Sequence, residues 1–246
     1  MKAVIVGATK GQGRAVARAL AERGAELFLL GRDTTELERS ARDLEQRSGG
    51  KHPIACAACD LEEPSGFGSA LDAAERALGG FDTVIVTAGL FATQDRLEAD
   101  LAFTRRLLTV NFANTIVFCE HARARLLARG GGTLCVWSSV AGERGRKPVV
   151  LYGSSKAGLS AYLEGLDHKF RSQGLRTICV KPGFIKTSMT EGLPAPPFAG
   201  EAEGVARDVV RALDRATPVV YTPRIWALIM LVIRLLPRFV MRRIGF

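Results

Sequence analysis

Lys2-Ala3-Val4-Ile5-Val6-Gly7-Ala8-Thr9-Lys10-Gly11-Gln12-Gly13 runs from a short branched apolar stretch through a glycine turn into a helix-like segment, Arg14 to Arg23. A strand, a glycine turn and a helix in that order form a phosphate-binding corner. Glycines let the backbone approach a pyrophosphate, and the helix amino terminus favours its charge. The spacing is G-x-x-x-G-x-G, not the commoner G-x-G-x-x-G. Such a turn also serves as a plain structural bend, so the rest of the chain decides. Working outward, strand-like runs at Glu26 to Leu30, Pro53 to Cys59, Thr83 to Val86, Thr133 to Trp137 and Thr177 to Val180 alternate with helix-like stretches. The helices are expected over Thr34 to Arg47, Gly66 to Leu78, Glu98 to Ala128, Val149 to Gln173 and Glu201 to Arg215. This alternation predicts an α/β fold with a doubly wound parallel sheet, as one domain over 1–223 followed by a tail over 224–246.

In such sheets ligands bind beyond the carboxyl ends of the strands, where the adenosine ribose of a dinucleotide lies beside the second one. An acid there would accept hydrogen bonds from the ribose hydroxyls, but Gly31 and Arg32 occupy the place. Arg32 and Lys10 could flank a 2′-phosphate, which favours NADP(H) over NAD(H). The plainer reading makes Arg32 a solvated loop residue beside Asp33, the cap of the next helix. Cofactor contacts are expected from Gly7, Thr9, Lys10, Gly11, Gln12, Gly13, Arg32, Asp60, Leu61, Ala88 and Gly89. Within Tyr152-Gly153-Ser154-Ser155-Lys156, Tyr152 and Lys156 lie one helical turn apart on one face. A free phenol, with a pKa of about 10, exchanges protons poorly near neutrality, and an ammonium beside it is expected to draw that value down. Ser139, at the end of the fifth strand, can donate a hydrogen bond to a substrate carbonyl. The Y-x-x-x-K spacing is common on exposed helices, and its neighbours give it meaning.

A chain of 246 residues with 47% hydrophobic content and 26 glycines can bury one large core. The amino terminus enters a strand at once, without a signal-peptide pattern, so a cytoplasmic location is expected. Five scattered cysteines include Cys56-Ala57-Ala58-Cys59, a C-x-x-C spacing with no second ligand pair nearby. Reduced, buried thiols and no metal site are expected. Of the net charge of +9, five units come from Arg224, Arg234, Arg238, Arg242 and Arg243 in a tail without acids. That distribution points to a membrane-facing tail rather than a nucleic-acid groove.

Between Gly183 and Gly200 runs a proline-rich, partly apolar stretch, longer than most connections, which reads as a substrate lid or else a surface excursion. In the tail, Ile225 to Ile233 is too short to cross a bilayer, which takes about 20 apolar residues. Arg234, Arg238 and Arg242 recur every four residues, although Pro237 should kink or break a helix there. The tail is expected to lie in the membrane interface, at the inner face. A subunit interface or a cover over an apolar substrate pocket competes with that reading.

Jointly these residues resemble the short-chain dehydrogenases/reductases over essentially the whole chain. Gly7, Gly11 and Gly13 match the family's cofactor turn, and Ala88-Gly89 the end of its fourth-strand motif. Asn111, Ser139, Tyr152 and Lys156 match its catalytic tetrad in order, and Pro182-Gly183 with Thr187 the segment that holds the nicotinamide amide. The resemblance implies hydride transfer between NADPH and a carbonyl, with Tyr152 as proton donor and Asn111 supporting a water chain, in a homo-oligomer that is a dimer or tetramer. Val6 stands in place of the usual threonine and Val86-Thr87 in place of the usual asparagine pair, which weakens the expected support of the turn. A narrower resemblance, through Leu90 to Gln94, Ala141 to Arg146, Pro182 to Phe198 and Tyr221-Thr222-Pro223 with the Arg/Leu/Pro-rich tail that follows, is to bacterial reductases of decaprenylphosphoryl 2-keto-pentofuranose. It implies a keto-sugar on a polyprenyl phosphate as substrate, with another hydrophobic ketone such as a 3-keto lipid as alternative. A non-catalytic NADP(H)-sensing protein of the same fold, or a nucleic-acid-binding scaffold, are the rivals of other classes.

Overall fold

The computed structural model describes residues 1–245; Phe246, the last residue of the expected tail, lies outside them. Strands β1 (Lys2–Val6), β2 (Glu26–Gly31), β3 (Ala55–Ala58), β4 (Thr83–Val86), β5 (Gly132–Trp137), β6 (Leu175–Pro182) and β9 (Val219–Thr222) form one parallel sheet in the order β3-β2-β1-β4-β5-β6-β9. The order reverses between β1 and β4, which opens a crevice at their carboxyl ends. Two further short strands, β7 (Ile185–Lys186) and β8 (Gly200–Glu201), pair with each other and staple the base of the lid segment.

Because successive strand side chains point to opposite faces, Ala3 and Ile5 of β1 enter one core and Val4 and Val6 the other. Helices α1 (Gly11–Glu22), α2 (Thr34–Arg47) and α8 (Ala202–Arg215) cover the first face through Val16, Leu20, Leu37, Leu44 and Val209. Helix α3 (Phe67–Leu78), with α6 (Thr115–Ala128) and α7 (Val150–Phe170), covers the second through Phe67, Phe118, Leu159 and Leu163. The same alternation separates the C-x-x-C pair: Cys56 packs against the first core and Cys59 lies in the second.

The expected single helix from Glu98 to Ala128 is instead three pieces: α4 (Gln94–Ala99), α5 (Leu101–Leu108) and α6, with a wider π-helical turn at Thr109–Asn114. Asp100 causes the first break, leaving the helix to cap α5 through the Phe103 N–H at 2.9 Å. The tail breaks where Pro237 required, into α9 (Ile225–Leu235) and α10 (Arg238–Arg243). Arg234 therefore does not continue one helical row with Arg238 and Arg242, which correct that expectation by standing on a separate helix. No helix among the described residues is long and apolar enough to cross a membrane.

Candidate active site

The corner after β1 is built on close approach. Gly7 turns at φ +95° and Gly11 at +51°, conformations that favour glycine. A methyl at Gly13 would stand 2.2 Å from the Gly7 carbonyl oxygen and 2.4 Å from Thr87 Oγ1, so α1 starts this near β1 only with glycine there. The Thr87 hydroxyl lies 3.0 Å from both the Val6 and Gly7 carbonyl oxygens and donates to them. The turn that lacks the usual residues at Val6 and Val86-Thr87 is thus braced from β4, correcting the expectation of weak support. Helix α1 begins with no capping side chain and no acidic residue in its first turn. Its unmet N–H groups border a cavity of about 1400 Å³, lined by Gly7, Thr9, Lys10, Gly11, Gln12 and Gly13. Such a cradle fits a pyrophosphate. The cavity exceeds the roughly 300–1,000 Å³ of ordinary small-molecule sites and has room for a dinucleotide plus a second ligand.

Around its other walls stand Arg32, Asp60, Leu61, Ala88, Gly89, Ser139, Tyr152, Lys156, Pro182, Gly183 and Thr187. At the adenosine end Asp33 caps α2 through the Glu36 N–H, 3.0 Å, and frees Arg32 to point elsewhere. Arg32 lies 3.6 Å from Glu62, whose carboxylate also binds Arg106 at 2.6 Å. Glu62 lines the same cavity beside the expected Asp60 and Leu61, but was not itself among the expected contacts. Asp60 accepts from the Glu62 N–H at 2.9 Å and so shapes the turn after β3.

The catalytic candidates converge from β5 and α7. Ser138 donates to the Lys156 carbonyl oxygen at 2.8 Å and meets Ser160 at 2.7 Å, tying the strand end to the helix. A methyl at Gly142 would fall 2.6 Å from the Ala157 nitrogen, so the turn after Ser139 lies directly on α7. Ser139 thereby faces the Tyr152 hydroxyl, while its oxygen accepts from the Ala141 N–H at 3.1 Å. Phe91 holds the tyrosine ring edge to face, centroids 5.1 Å apart. Lys156, 4% exposed, donates to the Trp137 carbonyl at 2.8 Å, with Nζ 5.9 Å from the Tyr152 ring centroid. Gln12 accepts from Trp137 Nε1 at 2.9 Å, joining the glycine turn to this strand end.

The expected lowering of the Tyr152 pKa is corrected by this geometry. Burial pushes the phenol up to about 12, and the Ser139 hydrogen bond offsets only part of that. Burial pulls the Lys156 ammonium down to about 8, with the neighbouring Cys179 acting the other way. One ammonium hydrogen goes to the Trp137 carbonyl, and the phenol, pushed up by burial, is protonated at neutral pH and available as a donor. Asn111 is buried off the cavity wall. Its amide donates to the Leu90 carbonyl and accepts from the Leu90 N–H, both at 2.7 Å. It sits in the π-helical turn, a feature frequent at functional sites. It fixes the loop after Gly89, where an added methyl would lie 3.1 Å from Asn111 Oδ1 and 3.6 Å from Lys156 Nζ.

The lid and tail complete the enclosure. Met189, Pro196, Pro197 and Phe198 line the cavity opposite Trp226, Leu228, Ile229, Val232, Ile233 and Leu236 of the tail. The tail is therefore a wall of the site, as the competing reading held. Met230 and Ile233 dock on Val140, burying about 1.5–3 kcal/mol each. Glu143, its side chain 5% exposed, pairs with Lys181 of β6 and with Arg234 of α9 at 3.3 Å.

The profile described as short chain dehydrogenase matches residues 1–196. An uncharacterised oxidoreductase of Mycobacterium tuberculosis is 33% identical over 242 residues, 98% of this chain and 95% of that one. An uncharacterised oxidoreductase of Streptomyces coelicolor is 32% identical over 248 residues, covering 98% and 94%. A solved short-chain type dehydrogenase/reductase from Mycobacterium ulcerans superposes with TM-score 0.80 at 22% identity, covering 90% of this chain and 87% of that one. With the glycine cradle, the serine, the tyrosine and the lysine brought to one cavity, the chain belongs to the short-chain dehydrogenase family and is an oxidoreductase that uses a nicotinamide cofactor.

Proposed function

We propose that the protein reduces a ketone borne on a large apolar group, drawing on NADPH, with Tyr152 as the proton donor. The observation that carries this is the shared cavity: Ser139, Tyr152 and Lys156 stand on the wall that continues into the apolar surfaces of α9 and the lid. When bound, the reduced nicotinamide supplies the hydride. The glycine turn and the start of α1 would hold its pyrophosphate, and Pro182, Gly183 and Thr187 its amide. Arg32 and Lys10, the cations at the adenosine end, favour a 2′-phosphate and hence NADP(H) over NAD(H).

Ser139 holds the carbonyl oxygen, and Tyr152 gives it a proton as negative charge develops there. A phenol held near pKa 12 is a weak acid in bulk water, but the oxygen it faces becomes an alkoxide, a stronger base than phenolate. The Lys156 ammonium then stabilises the phenolate left behind. The side chains on the wall exclude water from this exchange.

Leu228, Leu231, Val232 and Leu235 of α9 are 53–76% exposed and recur at helical spacing, and Phe239 of α10 is 59% exposed. Leu228 and Val232 also line the cavity, so its wall and the exposed apolar stripe share side chains. That placement favours a tail lying on a membrane surface and a substrate drawn from it. Within the class of lipid-borne ketones, the sequence resemblance singles out a keto-sugar on a polyprenyl phosphate. Purified protein given NADPH and a panel of polyprenyl-phosphate keto-sugars, 3-keto lipids and small cyclic ketones tests this. We expect kcat/KM to be highest for a lipid-borne ketone; exclusive turnover of small polar ketones would contradict the substrate reading.

A further inference from the structure

Trp226 stands in the first turn of α9, where the tail meets two other segments of the cavity wall. Its indole lies against Gly183, since a methyl there would overlap Nε1, Cε2 and Cδ1 of the ring. Gly183 is one of the residues expected to hold the nicotinamide amide, and its own N–H donates to the Thr222 carbonyl at 2.9 Å, just ahead of α9. The same indole Nε1 donates to the carbonyl of Phe198 in the lid at 3.3 Å. The helix beneath is fixed: Met230 and Ile233 dock on Val140, next to Ser139, and Arg234 pairs with Glu143. A rigid post therefore joins the nicotinamide segment to the lid.

Phe198 is held in a conformation that its side chain opposes. Its φ of +66° lies in the left-handed region, which among the described non-glycine residues it shares with Ala216 alone, the cap that ends α8. Such strain persists only where the surroundings impose it. The ring gains little from the position, being 60% exposed; what is fixed is the backbone, with its carbonyl turned to the indole. Released, residue 198 would relax to a negative φ and carry that carbonyl away. The base of the lid does not depend on this contact, because β7 pairs with β8 and the Gly200 N–H donates to the Phe184 carbonyl at 2.8 Å. We infer that Trp226 is a positioning residue that couples occupation of the nicotinamide end to the placement of the lid. A cofactor that settles the Gly183 backbone settles the indole lying on it, and the indole keeps the Phe198 carbonyl, and the lid with it, over the cavity. A ligand moves such an equilibrium only through contacts that differ between the two positions, and the Nε1 bond is one. This goes beyond the choice of ketone and rests only on the nicotinamide cofactor common to the family.

Hydrogen exchange of the full-length protein with and without saturating NADPH tests the coupling. The lid amides of Leu193 and Ala199, which donate to the Thr190 and Pro196 carbonyls at 3.2 Å each, lie beyond the expected cofactor contacts and report on the lid alone. NADPH is expected to slow their exchange at least about fivefold in the unaltered protein and less than about twofold in Trp226→Phe, which keeps a ring but has no donor. Slowing over Gly7 to Gly13 should be the same in both, which shows that the variant folds and binds cofactor. Should Trp226→Phe not fold, two substitutions on the exposed lid decide. Phe198→Pro, which cannot take a positive φ, should lose the slowing at Leu193 and Ala199. Phe198→Gly, which takes that φ freely, should keep it, although the ring is gone from both. Retained slowing in Trp226→Phe or in Phe198→Pro, or no slowing in the unaltered protein, would overturn the inference. No readout here needs turnover, so an inactive carbonyl panel leaves the coupling standing, and its failure leaves the reductase reading untouched.

Discussion

Lys156 is a charged group kept almost wholly out of water, and its position gives a testable pH dependence. Its folded-state pKa of about 8 lies below the ordinary value near 10.4, because burial disfavours the ammonium. Below pH 8 the ammonium is present to stabilise the phenolate formed at Tyr152; above it that support is lost. The kcat/KM for ketone reduction, which reports the free enzyme, should therefore be level up to about pH 8 and fall about tenfold per unit beyond. A profile level to pH 9.5 would show that the lysine charge plays no part. At the adenosine end, Arg32 shares Glu62 with Arg106, so a phosphate must compete for it with a carboxylate 3.6 Å away. Arg32→Ala should raise KM for NADPH about 10- to 100-fold, the worth of a charge-assisted hydrogen bond, and leave KM for NADH nearly unchanged. Equal effects on both cofactors would remove the 2′-phosphate assignment.

At the scale of elements, the tail carries the main lesson. Its charge and apolar runs were plain in the sequence, and Pro237 announced the break between α9 and α10. Which face of α9 turns inward was not legible, because the helix is apolar nearly all round and its periodicity points nowhere in particular. In the fold Arg234 pairs with Glu143 at 3.3 Å while Met230 and Ile233 pack on Val140, partners from a part of the chain far off in sequence. A chain ending at Thr222 loses that wall. Its KM for a long-chain ketone should rise at least about tenfold, since burying even one such apolar side chain is worth about 1.5–3 kcal/mol, while KM for a small cyclic ketone changes little. Equal KM values for both chains would place the substrate elsewhere. The long helix expected over Glu98 to Ala128 failed for a local reason: Asp100 prefers to cap, and a cap ends one helix as it starts the next.

For the whole molecule, the doubly wound parallel sheet and the meeting of Gly7, Ser139, Tyr152 and Lys156 at one crevice were readable, because apolar runs alternating with helices leave few parallel topologies open. What stayed hidden were contacts between residues far apart in sequence: the Thr87 brace on the glycine turn, the Glu62 link to Arg32, and the Trp137 carbonyl that engages Lys156. The first two join strand ends that only the assembled sheet brings together, and the third joins the end of β5 to α7. The reductase account stands on the Tyr152 hydroxyl, and the most direct measurement is the rate of NADPH oxidation by Tyr152→Phe at saturating cofactor, with the ketone that the unaltered protein reduces fastest. We expect the rate to fall about 100- to 10,000-fold, the share of a general acid, with NADPH bound as tightly as before; oxidation within a few-fold of the unaltered rate would contradict the account.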